Sequence, residues 1–178
     1  MITYTSKNLF LIPAQTLVNT VNLRGVMGAG IAKDFKHYYP QMYTKYRNIC
    51  MQHKFKMGQL MLSKREPEVV RGKRTGAYRE KWVLNFPTKD HWRDDSKLEY
   101  LEQGLSNLVK TYKAKGITSI AFPKLGSGCG KLSWDKVKPL MEKYLNQLDI
   151  PVYISTYNPV HAERPTYEEI RSNLNKAV

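Results

Sequence analysis

The sequence predicts a three-layer α/β/α domain, with helices packed on both faces of one sheet. Three observations carry this. Short apolar runs rich in β-branched residues alternate with longer stretches of helical period. Two glycine-bearing loops each follow an apolar run and precede a helix, the arrangement that places ligands at strand ends in α/β sheets. The chain has 178 residues and is 42% hydrophobic, enough for one buried core.

Taken in order, Ile2–Thr5 and residues 8–12 read as short strands, as does the β-branched run 17–21. Gly30–Tyr38 reads as a helix entered through glycines. Residues 40–53 suit a second helix, with Pro40 in its first turn. Residues 59–63 and 81–86 read as strands. The polar stretch 64–80 between them carries charges of both signs and reads as a hairpin tip or loop. Residues 96–115 give the clearest helix. Leu98, Leu101, Leu105, Leu108 and Val109 recur at helical spacing, Ser96 can cap the start, and Gly116 ends it. Residues 117–122 read as a buried strand and 123–131 as a loop. In 133–148, Val137, Leu140, Met141, Tyr144, Leu145 and Leu148 share one helical face. Residues 150–156 form the closing strand. No repeat or linker interrupts this order, so residues 1–158 make one domain. Residues 159–178 form a polar tail with a short helix over 166–174.

Charge is the strongest bulk signal. Lys plus Arg is 29 against 15 Asp plus Glu, a formal net charge of +14, which favours a polyanionic partner. A merely basic surface is the plainer alternative. No apolar run approaches the roughly 20 residues of a membrane span. The N-terminus lacks the pattern of a signal peptide, which places the expected location in the cytoplasm. Cys50 and Cys129 make no CxxC pair, so neither a zinc site nor a disulfide is expected. Cys50 reads as a small buried hydrophobe.

The first glycine segment is NTVN at 19–22 followed by GVMGAGIA at 25–32, and the second is AFPKLGSGCGKL at 121–132. Glycine lets backbone N–H groups approach phosphate oxygens, and two such loops can grip a diphosphate from opposite sides. Neither ends in Gly-Lys-Ser/Thr, and the first lacks GxGxxG spacing. These absences argue against a P-loop ATPase, a kinase and a dinucleotide dehydrogenase.

At these residues the chain resembles the macrodomains. LVNTVNLRGVMGAGIAKDFK resembles their first ligand loop and SIAFPKLGSGCGKLSW their second; the likeness runs from about Ile2 to Tyr157. NFPTKDHWR at 85–93, followed by Ser96, most resembles the DarG-type DNA ADP-ribosyl glycohydrolases, antitoxins that reverse thymidine ADP-ribosylation by DarT toxins. The resemblance implies a mixed central sheet, ADP-ribose as ligand, ADP-ribosylated single-stranded DNA as substrate, and a DarT-like toxin as the opposed partner. It implies no cofactor, metal or membrane.

It also implies roles position by position. Asn8, with Leu9 beside it, falls where macrodomains carry an acidic residue that reads adenine; an amide can also meet the adenine edge. Tyr157 can stack on adenine. Thr20 and Val21 lead to Asn22, which resembles the asparagine that bonds the distal ribose. Val26, Met27, Gly28, Ala29, Gly30, Ile31 and Ala32 cover one side of the diphosphate and distal ribose. Leu125, Gly126, Ser127, Gly128, Cys129, Gly130, Lys131 and Leu132 cover the other, Cys129 chiefly through its backbone. Pro87 and Thr88 lead to Lys89, which matches the lysine that related hydrolases use against the distal ribose. A neutral amine there attacks the anomeric carbon, which requires a lowered pKa; Lys131 and Arg93 are the candidate neighbours that would lower it. An electrostatic clamp on the diphosphate and an ordinary surface lysine are the alternatives. A protein-directed branch carries an aspartate where this chain has Gly130, which argues against that branch's mechanism.

His91, Trp92 and Arg93 directly follow the catalytic candidate and suit base stacking and phosphate contact; a core tryptophan is the alternative. Arg71, Lys73, Arg74, Arg79 and Lys81, with Tyr78 among them, suit a single-stranded backbone, or else a solvated hairpin tip. Two other functions stay open. One is a hydrolase of ADP-ribosylated protein, O-acetyl-ADP-ribose or ADP-ribose-1″-phosphate. The other is a non-catalytic ADP-ribose reader.

Overall fold

The computed structural model describes residues 1–64, 69–70, 73–74, 81–158 and 164–173. In chain order the strands are β1 (Ile2–Thr5), β2 (Thr16–Val21), β3 (Met61–Ser63), β4 (Val69–Val70), β5 (Lys73–Arg74), β6 (Trp82–Pro87), β7 (Ile120–Phe122) and β8 (Val152–Ser155). The helices are α1 (Gly30–Tyr38), α2 (Pro40–Met51), α3 (Leu98–Lys115), α4 (Trp134–Leu145) and α5 (Tyr167–Ser172), with a 3-10 turn at Leu9–Leu11.

Six strands form one sheet in the order β1-β8-β7-β2-β6-β3. All neighbours are parallel except β3, which runs antiparallel to β6. The sheet is therefore mixed, as expected. Along β2, Leu17 and Val21 face the core under α1 and α2, while Val18 faces the core under α3 and α4. Val83 and Leu84 on β6 divide the same way. A strand buried on both faces reads as a continuous apolar run, which is why these runs were legible.

α3 buries Leu101, Leu105, Leu108 and Tyr112 on one face. Its Gly104 lies so close to the Phe86 ring that a Cβ there has no room. The helix ends at Gly116, whose φ of 76° is the left-handed cap the sequence called for. Ile117 then sends its N–H back to Tyr112 O at 3.0 Å, so β7 begins at Ile120 rather than at residue 117.

Two expectations are corrected. Residues 8–12 are not a strand: Asn8 Oδ1 accepts from Phe10 N at 3.0 Å and caps the 3-10 turn, burying Leu9 and Phe10 under α1. Ser96 does not cap α3. Lys97 holds the cap position, with no side-chain cap bond, and Ser96 is buried under the second glycine loop.

β4 and β5 pair antiparallel within the stretch read as a hairpin. Arg71, Tyr78 and Arg79 lie outside the described residues, and for Lys73 and Arg74 only the backbone is described. Lys81 does not face a nucleic-acid strand as expected: it is buried, with its Nζ donating to Ile12 O. The tail segment 164–173 docks on α1. Tyr38 Oη donates to Pro165 O at 2.6 Å, Arg164 pairs with Asp34 at 2.6 Å, and Ile170 joins the core beside the 3-10 turn. No helix among the described residues is long and apolar enough to cross a membrane.

Candidate active site

The parallel strands β2, β6, β7 and β8 all end at one edge of the sheet. Asn22, Lys89, the loop from Pro123 and Tyr157 therefore emerge together. The pairing of β2 with β6 continues past both strands: Thr88 N donates to Val21 O at 2.9 Å and Leu23 N to Asp90 O at 2.9 Å. This holds Asn22 beside Thr88 and Lys89. Arg24 and Asp90 add an ion pair at 2.9 Å across the same junction.

The two glycine loops meet. A Cβ placed on Gly30 would stand 3.2 Å from Cys129 Sγ, and the φ of +56° at Gly30 itself favours glycine. Gly28, Ala29 and Gly30 are exposed at the N-terminus of α1, as are Gly128 and Cys129 in the second loop. Among the described residues, no backbone carbonyl accepts from the N–H groups of Gly28, Ala29, Gly128, Cys129 or Gly130. Two facing rows of free N–H donors suit an anion of diphosphate size.

The second loop closes on itself through Lys131 N to Gly128 O at 3.0 Å and Leu132 N to Gly126 O at 2.9 Å. Lys131 takes a φ of 59° to do so. Gly130 is required for space: any Cβ would collide with Ser96 Oγ and with the Gly126 carbonyl.

Lys89 sits against this loop. It is buried, 8% exposed, and its Nζ donates to Cys129 O at 2.8 Å. The surface-lysine alternative is thereby excluded. No carboxylate pairs with it among the described residues. Lys131 is not a free positive neighbour, because it pairs with Asp95 at 3.0 Å and is mostly exposed. Arg93 is exposed, and its N–H donates to His91 Nδ1 at 3.2 Å.

Asn22 is 6% exposed and its amide is largely engaged. Nδ2 donates to Val26 O at 2.7 Å, Oδ1 accepts from Arg24 N at 2.9 Å, and the buried Tyr46 hydroxyl donates to the Asn22 backbone carbonyl at 2.7 Å. It shapes the first loop, and its second Nδ2 hydrogen has no protein partner among the described residues. Behind the loops, Val21, Met27, Pro87, Thr88, Leu125 and Gly126 are buried, while Thr20, Val26, Ile31, Ala32, Ser127 and Leu132 are partly exposed.

At the far end of the edge, Asn8 spends its Oδ1 on the 3-10 turn. Ser155 Oγ donates to Lys7 O at 2.7 Å, which draws Asn8 and Leu9 toward the end of β8 and Tyr157. Tyr157 is half-buried there. On the other flank the His91 and Trp92 rings stack at 3.7 Å, and Trp92 is 46% exposed, so it is no core tryptophan.

Reading by sequence missed the braces of the second loop: Asp95 to Lys131, and Ser96 N to Gly130 O at 3.0 Å. Each joins residues more than 30 positions apart, and no local pattern signals that.

Residues 18–141 match the Macro domain family. The chain is 40% identical over 148 residues to a DNA ADP-ribosyl glycohydrolase of Mycobacterium tuberculosis, covering 83% of this chain and 40% of that protein. It spans about two fifths of the length of the DNA ADP-ribosyl glycohydrolases it matches. Its structure is similar to the macrodomain of Mycobacterium tuberculosis DarG, with a TM-score of 0.77 and 38% identity over 87% of this chain and 97% of that one. It is also similar to Thermosipho africanus DarTG in complex with ADP-ribose, with a TM-score of 0.78 and 35% identity over 98% of this chain and 46% of that one. The sheet order, the paired glycine loops and the family match agree: the chain belongs to the macro domain family.

Proposed function

We propose that this macrodomain binds ADP-ribose and hydrolyses its bond to thymidine in single-stranded DNA, opposing a DarT-like transferase in the cytoplasm. The observation that carries the reading is the position of Lys89. Its amine lies on the carbonyl of Cys129, where the two glycine loops meet. A diphosphate held between those loops leaves the distal ribose beside Asn22 and Lys89. Its similarity to DNA ADP-ribosyl glycohydrolases supports the DNA-linked substrate for this chain.

In this reading the free N–H groups of both loops take the diphosphate oxygens. Asn22 orients the distal ribose with its remaining amide hydrogen. The Lys89 amine, once deprotonated, attacks the anomeric carbon. The glycosidic bond breaks and its electron pair leaves on the base, spread over the ring carbonyls. Water then releases ADP-ribose and restores the lysine, and the base regains a proton from solvent.

Because the linkage lies on the pairing edge of the base, the substrate must be unpaired. The exposed Trp92, stacked on His91, supplies a face for a neighbouring base, and Arg93 a charge for phosphate. Adenine reading by Asn8 and Tyr157 belongs to the same proposal.

The test is incubation of the protein with ADP-ribosylated single-stranded DNA, with ADP-ribosylated protein, O-acetyl-ADP-ribose and ADP-ribose-1″-phosphate in parallel. Free ADP-ribose and unmodified DNA are expected from the first. Turnover of another substrate with none of the DNA would overturn the assignment. Binding of ADP-ribose with no hydrolysis would leave a reader module.

A further inference from the structure

Ser96 is 4% exposed, and its hydroxyl has no hydrogen-bond partner. A buried, unsatisfied hydroxyl is costly, and an alanine of nearly the same shape would avoid that cost. Yet the hydroxyl points at the base of the second glycine loop. A Cβ on Gly130 would collide with Ser96 Oγ and the Gly126 carbonyl together, so these two oxygens flank one narrow space. Gly126 O already accepts from Leu132 N at 2.9 Å and keeps a second lone pair.

The main chain of Ser96 is fixed to the same loop, since its N–H donates to Gly130 O at 3.0 Å. Asp95 holds Lys131 at 3.0 Å, and Lys89 holds Cys129 O at 2.8 Å. The segment from Lys89 to Ser96 thus grips three consecutive loop residues, and the Ser96 hydroxyl is the member of that grip left unused.

We propose that Ser96 is a positioning residue for ligand closure: when the second loop settles on the diphosphate, the hydroxyl donates to Gly126 O and locks the loop. The inference rests on the nucleotide reading above. It gives Ser96 a signature that a structural residue lacks. A latch used only in the closed state costs the open state an unpaired hydroxyl and repays the closed state. Removing it therefore moves stability and affinity in opposite directions.

The experiment compares wild-type and Ser96→Ala protein by thermal unfolding without ligand, by calorimetric titration with ADP-ribose, and by amide exchange with and without ADP-ribose. The unliganded midpoint is expected to hold or rise. Affinity for ADP-ribose is expected to fall about five- to tenfold, in line with one neutral hydrogen bond. Ligand-induced protection of residues 126–132 is expected to shrink. Equal affinity in the two proteins, or loss of both stability and affinity together, would overturn the latch. Failure of the wild-type protein to bind ADP-ribose would remove the nucleotide reading, and the latch with it.

Discussion

Lys89 Nζ donates to the backbone carbonyl of Cys129 at 2.8 Å, so the exposed thiol of Cys129 is not the group that holds the lysine. Its Sγ instead lies toward Gly30 in the opposite loop. Cys129→Ala should therefore keep turnover within about threefold of wild type, because no hydrogen bond from its side chain is removed. Steady-state rates on modified DNA check this; a hundredfold loss would move the nucleophile to sulfur.

Gly130 is fixed by the lack of space between Ser96 and Gly126. Gly130→Ala should destabilise the domain by about 1–3 kcal/mol through overpacking. It should also weaken ADP-ribose binding by displacing the loop. Urea unfolding and calorimetric titration measure the two effects, and an unchanged protein would contradict the packing described.

Trp92 stands 46% exposed against His91. Trp92→Ala should change stability by less than about 0.5 kcal/mol. Loss of one base stack, about 1–3 kcal/mol, should slow turnover of modified oligonucleotides at low concentration roughly five- to a hundredfold. A single ADP-ribosylated thymidine nucleotide has no neighbouring base and should be far less affected. Equal losses on both substrates would place Trp92 elsewhere in the mechanism.

Lys81 gives a pH prediction. It is buried at the start of β6 with its Nζ donating to Ile12 O, and burial pulls its pKa down to about 8. The unfolded chain keeps its lysines near pH 10.4, at about the ordinary value. The unfolded state therefore binds more protons between about pH 8 and 10, and stability rises with pH across that window. Below about pH 8 the full penalty of the buried charge applies. At higher pH the buried Tyr46, whose pKa burial raises, opposes the trend, because unfolded tyrosines ionise first. Lys81→Met should flatten the rise and stabilise the protein at pH 7 by about 1–3 kcal/mol. Urea midpoints between pH 7 and 9.5 test it.

Much of this molecule was legible where chemistry is local. The runs that became β2 and β6 are apolar because both sheet faces are covered, and α3 declared itself through its leucines and Gly116. The glycine loops were found because each lies just after a strand, and Lys89 through the resemblance of its segment to the macrodomains. What stayed hidden depends on distant partners. The apolar stretch at 8–12 became a turn because Asn8 bonds Phe10 locally while Phe10 packs on Phe35 at 4.7 Å and on Tyr38. Ser96 has the residue type of a helix cap, but its hydroxyl turns under Gly130 instead. Lys131 looked like a free positive charge until Asp95 paired with it.

In the proposed mechanism the Lys89 amine acts on the sugar while the paired loops do the binding. Single-turnover hydrolysis of ADP-ribosylated single-stranded DNA by wild type, Lys89→Ala and Lys89→Arg, beside calorimetric titration of each with ADP-ribose, tests it most directly. Both variants should lose at least a thousandfold in rate while ADP-ribose affinity falls no more than about tenfold. Turnover preserved in either variant, or a loss of rate matched by an equal loss of binding, would contradict it.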